Sequence, residues 1–188
     1  MSIKKLNKYL VLIILILNVG CKKDNFTIPN YVNNTSDYFD AGGESDSLLI
    51  QASEYLKNRE IKYIVFHCAA VPEGLDPDEQ WFNEVWKYNG WKNPGYHMVI
   101  RENGTVIWML SFDKISNGVK GYNLNSLNIC YNGGVGKDFV PKDTRTVEQK
   151  KTMDLLVGVL KQLYPDAKIV GHHDLFSGKA CPSFKVNY

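Results

Sequence analysis

Residues 61–69, IKYIVFHCA, constrain this chain more than any other stretch, because they are apolar and β-branched over the length of one strand. A run of that kind belongs at the centre of a sheet. Side chains alternate along a strand, so His67 and Cys68 are expected on opposite faces, and only one of them can look into a given cleft. Helix and strand signals alternate in the rest of the chain. Asp76, Pro77 and Glu79 read as an N-cap, a proline at the first helical position and a capping-box acid. Phe82, Val85 and Trp86 then mark a buried stripe, and Gly90 the stop. Residues 96–101 and 105–110 flank Glu102, Asn103 and Gly104, a hairpin signal. Residues 127–131 read as another strand, ending at Gly133 and Gly134. The longest helix is expected to start near Thr146, with Gln149 completing a capping box and Met153, Leu156, Val159, Leu160 and Leu163 as its apolar face. Pro165 closes it, and Gly158 inside it costs about 1 kcal/mol relative to alanine unless something packs closely there. Residues 167–170 form a last short strand that delivers His172 at its carboxyl end. The pattern predicts an α/β fold: a single domain with a central mixed β-sheet, helices on both faces, and a site at strand ends.

A chain of 188 residues with 44% hydrophobic content suits one compact domain that needs no disulfide staples. Residues 1–20 stand apart from it. Lys4, Lys5 and Lys8 precede an apolar run, residues 9–17, that is too short to span a bilayer, which is the pattern of an export signal. It ends in LNVGC, which resembles the lipobox of bacterial lipoproteins and predicts lipidation of Cys21, although Asn18 stands where an aliphatic residue is usual. An ordinary secretory signal or an uncleaved anchor is the alternative. The expected organisation is a signal over 1–20, a polar tether over 21–43 and a folded domain over 44–188, opening with a short amphipathic helix through Leu48, Leu49, Ala52, Tyr55 and Leu56. The leader also carries the apparent basicity. It holds three lysines and no acid, so without it the formal charge of +2 becomes −1. A near-neutral domain gives no electrostatic case for nucleic acid as partner.

The segment GHHDLFSGKACPSF, residues 171–184, places histidine, lysine and cysteine close together, and His67 comes from the first strand. Imidazole nitrogen and thiolate sulfur suit zinc, and a catalytic zinc has three protein ligands with an open fourth position. His67, His172 and Cys181 supply such a set. Spacing alone leaves the other reading open, in which the histidines are hydrogen-bonded core or surface groups and Cys181 is a buried thiol. Lys179 would be carried toward the metal by the same loop, where an ammonium can stabilise an oxyanion. A phenol at Tyr96 could orient or deprotonate water or steady a tetrahedral intermediate, although core packing is the usual job of a strand aromatic. Cys68 and Cys130 are expected to be buried free thiols, with a disulfide as the alternative outside the cytoplasm.

Four segments occur in one order: VFHCAA, GWKNPGYHMVIRENGTV, KGYNLNSLNIC and GHHDLFSGKACPSF. Through them the chain resembles the zinc-dependent N-acetylmuramoyl-L-alanine amidases of the amidase-2 group, which share a fold with peptidoglycan recognition proteins, and in particular their phage lysozyme-type branch. Position by position, the resemblance implies zinc ligands at His67, at His172 rather than His173, and at Cys181, with Tyr96 and Lys179 as catalytic residues. Val119 stands where phage relatives carry a histidine. The implied reaction is hydrolysis of the amide between N-acetylmuramic acid and L-alanine, by a monomer acting on peptidoglycan or muropeptides with no organic cofactor. A noncatalytic peptidoglycan-binding module on the same fold is the rival. His173, His97, Asn123 and Asn125 are secondary candidates around the site, and Trp91 and Trp108 candidates for stacking or burial.

Overall fold

The computed structural model describes residues 59–188. The leader, Cys21, the tether and the helix expected around Leu48 lie outside the described residues. The central element is β1 (Tyr63–Cys68), and five of its six residues are buried. It is flanked in parallel by β5 (Ser126–Tyr131), buried throughout, and by β7 (Lys168–Gly171). Next to β5 runs β3 (Met98–Ile100), also parallel, and β4 (Val106–Trp108) closes that edge antiparallel to β3. The sheet order is therefore β4-β3-β5-β1-β7. Strands covered on both faces read as continuous apolar runs, which is why β1 was so legible in the sequence.

Helix α1 (Glu79–Tyr88) lays Phe82 and Trp86 on Val99 and Cys130 on one face of the sheet. Helix α2 (Val147–Leu163) buries Met153, Leu156, Val159 and Leu160 against the other. On that second face the Phe66 ring meets Tyr188, whose hydroxyl donates to Asp154 of α2 at 2.9 Å. The capping box at α2 is present as expected: Thr146 accepts from the Gln149 amide, and the Gln149 side chain accepts from Thr146 N–H. Gln149 is fully buried, and its Nε2 also donates to the carbonyls of Ile100 and Asn132. The β3–β4 turn is clipped to the same helix, because Thr146 Oγ1 donates to Glu102 O and Thr152 Oγ1 to Gly104 O. Gly104 has φ +82° there, and a Cβ would lie 3.0 Å from Glu148 O. Gly158 has nothing within 4 Å of the position a Cβ would take, so no packing reason offsets its helical cost.

The start of α1 differs from the sequence expectation. Its N-cap is Asp78, which accepts from Trp81 N at 3.0 Å, and not Asp76. Asp76 is taken by a tertiary contact: its carboxylate accepts from Arg101 Nε, Glu102 N and Asn132 Nδ2. A second feature had no sequence signal. Val71–Pro72 (β2) and Gly134–Val135 (β6) pair in parallel as a separate two-stranded sheet, beyond the point where Gly133 and Gly134 had suggested a strand end. A Cβ at Gly134 would overlap the Cys68 side chain, so this crossing requires glycine.

Candidate metal centre

The carboxyl ends of β1 and β7 lie side by side because Phe66 is in register with Gly171. One step further along each strand are His67 and His172, and their rings are 4.8 Å apart. Helix α3 (His172–Leu175) begins at once and turns the chain away, its first turn closed by the Asp174 carboxylate accepting from Gly171 N. The following loop returns Cys181. His173 N donates to Cys181 O at 2.8 Å, and the buried Tyr131 hydroxyl donates to Pro182 O at 2.9 Å. Gly171 permits the approach, since a Cβ there would sit 2.7 Å from Pro182 Cδ.

The ligand atoms of His67, His172 and Cys181 all fall within 4.8 Å of one another. Cys181 Sγ is 3.7 Å from His67 Nδ1. Tetrahedral zinc, with bonds near 2.0 Å to nitrogen and 2.3 Å to sulfur, would separate such a pair by about 3.5 Å. The donor set fits that ion. Burial, and then His172, push the His67 pKa down to about 3. Burial, the Lys179 charge and His173 lower that of His172. Both imidazoles are therefore neutral at neutral pH, the form that ligates a metal. Without a cation Cys181 is a thiol, because the neighbouring Cys68 thiol and burial both push its pKa up. Cys68 N–H donates to Cys181 Sγ at 3.3 Å, a bond that also suits a metal-bound thiolate. Cys68 is thus a partner of the third ligand and stands outside the ligand cluster, in keeping with strand alternation. Cys68, Cys130 and Cys181 are all free.

Tyr96 packs its ring 5.1 Å from that of His67 and is held from behind by Phe82 and Trp86. Burial, followed by the Cys130 thiol, raises its pKa well above the ordinary phenol value, so it is a proton-bearing hydroxyl at any working pH. Lys179 is exposed, and its charge reaches His172. His97 precedes β3, which starts at Met98. It is fully buried, accepting from Asn128 N at Nδ1 and lying 3.1 Å from Lys114 O through Nε2. His173 stays out of the ligand set and faces Asp174. Asn123 and Asn125 serve the loop before β5, with Asn123 Oδ1 accepting from Val119 N and Asn125 Nδ2 donating to Glu60 O. Trp108 packs on Phe112, and Trp91 is partly exposed.

Two further residues near this centre lie inside the segments that carry the resemblance but had no role assigned to them from the sequence. Phe176 is 55% exposed, with its ring 6.3 Å from that of His172. Asn128 has 0% exposure and meets His67 Nε2 with its side-chain oxygen at 2.8 Å. The signal for Asn128 was a lone amide inside the apolar run SLNICY.

Residues 57–184 match the family model described as N-acetylmuramoyl-L-alanine amidase, Amidase_2. The endolysin of Enterobacteria phage K11 is 34% identical over 133 residues, 71% of this chain and 87% of that protein. The endolysin of Escherichia phage T7 is 31% identical over 131 residues, 69% of this chain and 86% of that one. Among solved structures, the Ph2119 endolysin from a Thermus scotoductus bacteriophage superposes with a TM-score of 0.55 at 29% identity, covering 65% of this chain and 77% of that one. Drosophila PGRP-LB shares the fold, with a TM-score of 0.54 at 19% identity over 66% of this chain and 75% of that one.

Proposed function

The chain belongs to the N-acetylmuramoyl-L-alanine amidase family and is a peptidoglycan amidase; we propose that it depends on zinc held by His67, His172 and Cys181. The observation that carries this reading is the convergence of those three donors at open strand ends, with Tyr96 and Lys179 beside them. Zinc bound there supplies Lewis acidity, which acidifies water and polarises the scissile carbonyl. The bond cleaved is the amide between the lactyl group of N-acetylmuramic acid and L-alanine. Water adds its oxygen to the carbonyl carbon, the C–N bond breaks, and the nitrogen leaves as the free amine after taking a proton.

The chain's own groups divide that work. Burial holds the proton on Tyr96 in the metal-free chain, and its proposed part is to orient the incoming water or to donate a hydrogen bond to the tetrahedral oxygen. Lys179, on the exposed side of the centre, supplies positive charge to the developing oxyanion. A pure binding module would need neither an open metal site nor these two groups. The proposed setting is the cell envelope, with residues 1–20 as export signal, Cys21 as lipid anchor, residues 21–43 as tether and a monomeric domain. The basic leader and the LNVGC sequence support this. Digestion of purified sacculi, followed by muropeptide analysis with and without a chelator, tests the activity. Zinc-dependent release of stem peptides is expected, and intact stems from a folded, zinc-loaded protein would refute it. Radiolabelled fatty acid incorporated by the native chain but not by Cys21→Ala tests the anchor.

A further inference from the structure

We propose that Asn128 is a positioning residue that fixes His67 as the Nε2–H tautomer, so that the Nδ1 lone pair is presented to the metal. The inference deepens the zinc reading and rests on His67 being a ligand. His67 is 1% exposed, so bulk water does not serve its ring nitrogens. Its Nε2 points back into the sheet and meets Asn128 Oδ1 at 2.8 Å, while Nδ1 faces Cys181 Sγ. The strand register accounts for that direction. Asn128 pairs with Val65 and Cys130 with His67, so the amide lies one repeat behind the histidine, away from the open strand ends.

The orientation of the amide decides the tautomer. Asn128 Nδ2 lies 2.8 Å from Ser116 Oγ and 3.0 Å from Ser126 Oγ, which places its two hydrogens on two hydroxyl oxygens and its carbonyl oxygen on His67. An imidazole nitrogen facing a carbonyl oxygen must carry the proton. The amide turned over would reverse this, putting the proton on Nδ1 and blocking the ligand position. Three contacts hold the group in place. Its backbone N–H donates to His97 Nδ1 at 3.0 Å, and its backbone carbonyl accepts from His97 N at 2.8 Å. Gly118 presses directly on the side chain, and a Cβ there would overlap the amide. Every polar atom of Asn128 is therefore used, and the one aimed at the metal centre reaches it only through His67.

The test uses the full chain, stripped of metal and labelled with ¹⁵N-histidine. Long-range ¹H–¹⁵N correlation spectra report which nitrogen of each ring is protonated, and His67 is identified by its loss in His67→Gln. The Nε2–H form is expected in the native chain, and an Nδ1–H form overturns the proposal. Asn128→Leu should mix the tautomers and weaken zinc binding, measured by chelator competition, by about 10- to 100-fold. Asn128→Asp keeps an acceptor for Nε2–H and should restore both the tautomer and the affinity. An unchanged tautomer and zinc affinity in Asn128→Leu would overturn the assignment. A native chain that shows the Nε2–H form yet binds no zinc would instead refute the metal reading and leave the tautomer assignment standing.

Discussion

The metal centre has two unlike sides. His67 is set in the middle of the sheet, where register, Asn128 and the ring of Tyr96 leave it a single orientation. His172, Lys179 and Cys181 come from a short helix and a loop, in which Lys179 is exposed and Cys181 is held by a few hydrogen bonds to Cys68, His173 and, through Pro182, Tyr131. On the sheet side, which forms a wall, the polar atoms of the Asn128 side chain and His67 Nε2 are bonded within the protein, whereas on the loop side residues 176–180 are exposed. The comparison teaches that position is fixed by the wall and that chemistry is delivered by the loop. In the proposed mechanism the Lys179 charge near His172 acts on a carbonyl placed by the sheet-held side of the site.

The strongest way to break this division is to remove the one sulfur. Cys181→Ser should lose zinc, measured by metal analysis, and reduce hydrolysis to background while the fold persists by circular dichroism. Retained zinc would show that His67 and His172 hold the ion without the sulfur. Lys179→Ala should leave zinc content unchanged and lower kcat about 10²- to 10³-fold, the size expected for one oxyanion-stabilising group. An equal loss of zinc would make Lys179 a structural part of the loop. The wall should respond to pH in the metal-free chain. Burial, against the favourable bond to Lys114, pushes the His97 pKa down to about 4. As pH falls from about 6.5 to about 4, the unfolded chain takes up a proton that the folded chain refuses, so stability is full at neutral pH and lost across that window. At about 1.4 kcal/mol per pKa unit, His97 withdraws on the order of 3 kcal/mol. Urea unfolding at several pH values should show this slope, and His97→Gln should reduce it, the remainder coming from His67 and His172, whose pKa values are lowered as well.

Tyr131→Phe removes the donor to Pro182 O and should cost about 1 kcal/mol, with a larger effect on zinc affinity than on sheet stability. Gly158→Ala, on the exposed face of α2 and in neither region, should stabilise the chain by about 0.5–1 kcal/mol. Zinc binding should not change in this variant, which separates stability from site geometry.

Much of the scaffold was legible because local chemistry and tertiary packing agree there. The buried strand 61–69, the Thr146 capping box and the hairpin at Gly104 each state in a few residues what the fold does with them. Asp76 was misread because a long-range claim on its carboxylate, from Arg101, Glu102 and Asn132, outweighs the local helix signal that passes to Asp78. The β2–β6 pair was invisible because two-residue strands carry no period. At the candidate metal centre, the three residues that converge were named from residue chemistry and family resemblance, and the register Phe66–Gly171 explains why His172 and not His173 meets His67. Asn128 escaped because an amide in a strand announces nothing until its neighbour across the sheet is known.

His67 and Cys181 lie 114 residues apart in sequence, and β7 must dock on β1 before His172 can join them. The donor set therefore cannot exist on a partly synthesised chain. A growing polypeptide that has made β1, α1 and the hairpin holds one histidine of the centre and neither of the other two donors. On the zinc reading, hydrolysis therefore has to wait for β7 and for the loop that carries Cys181, a delay set by the order of strands.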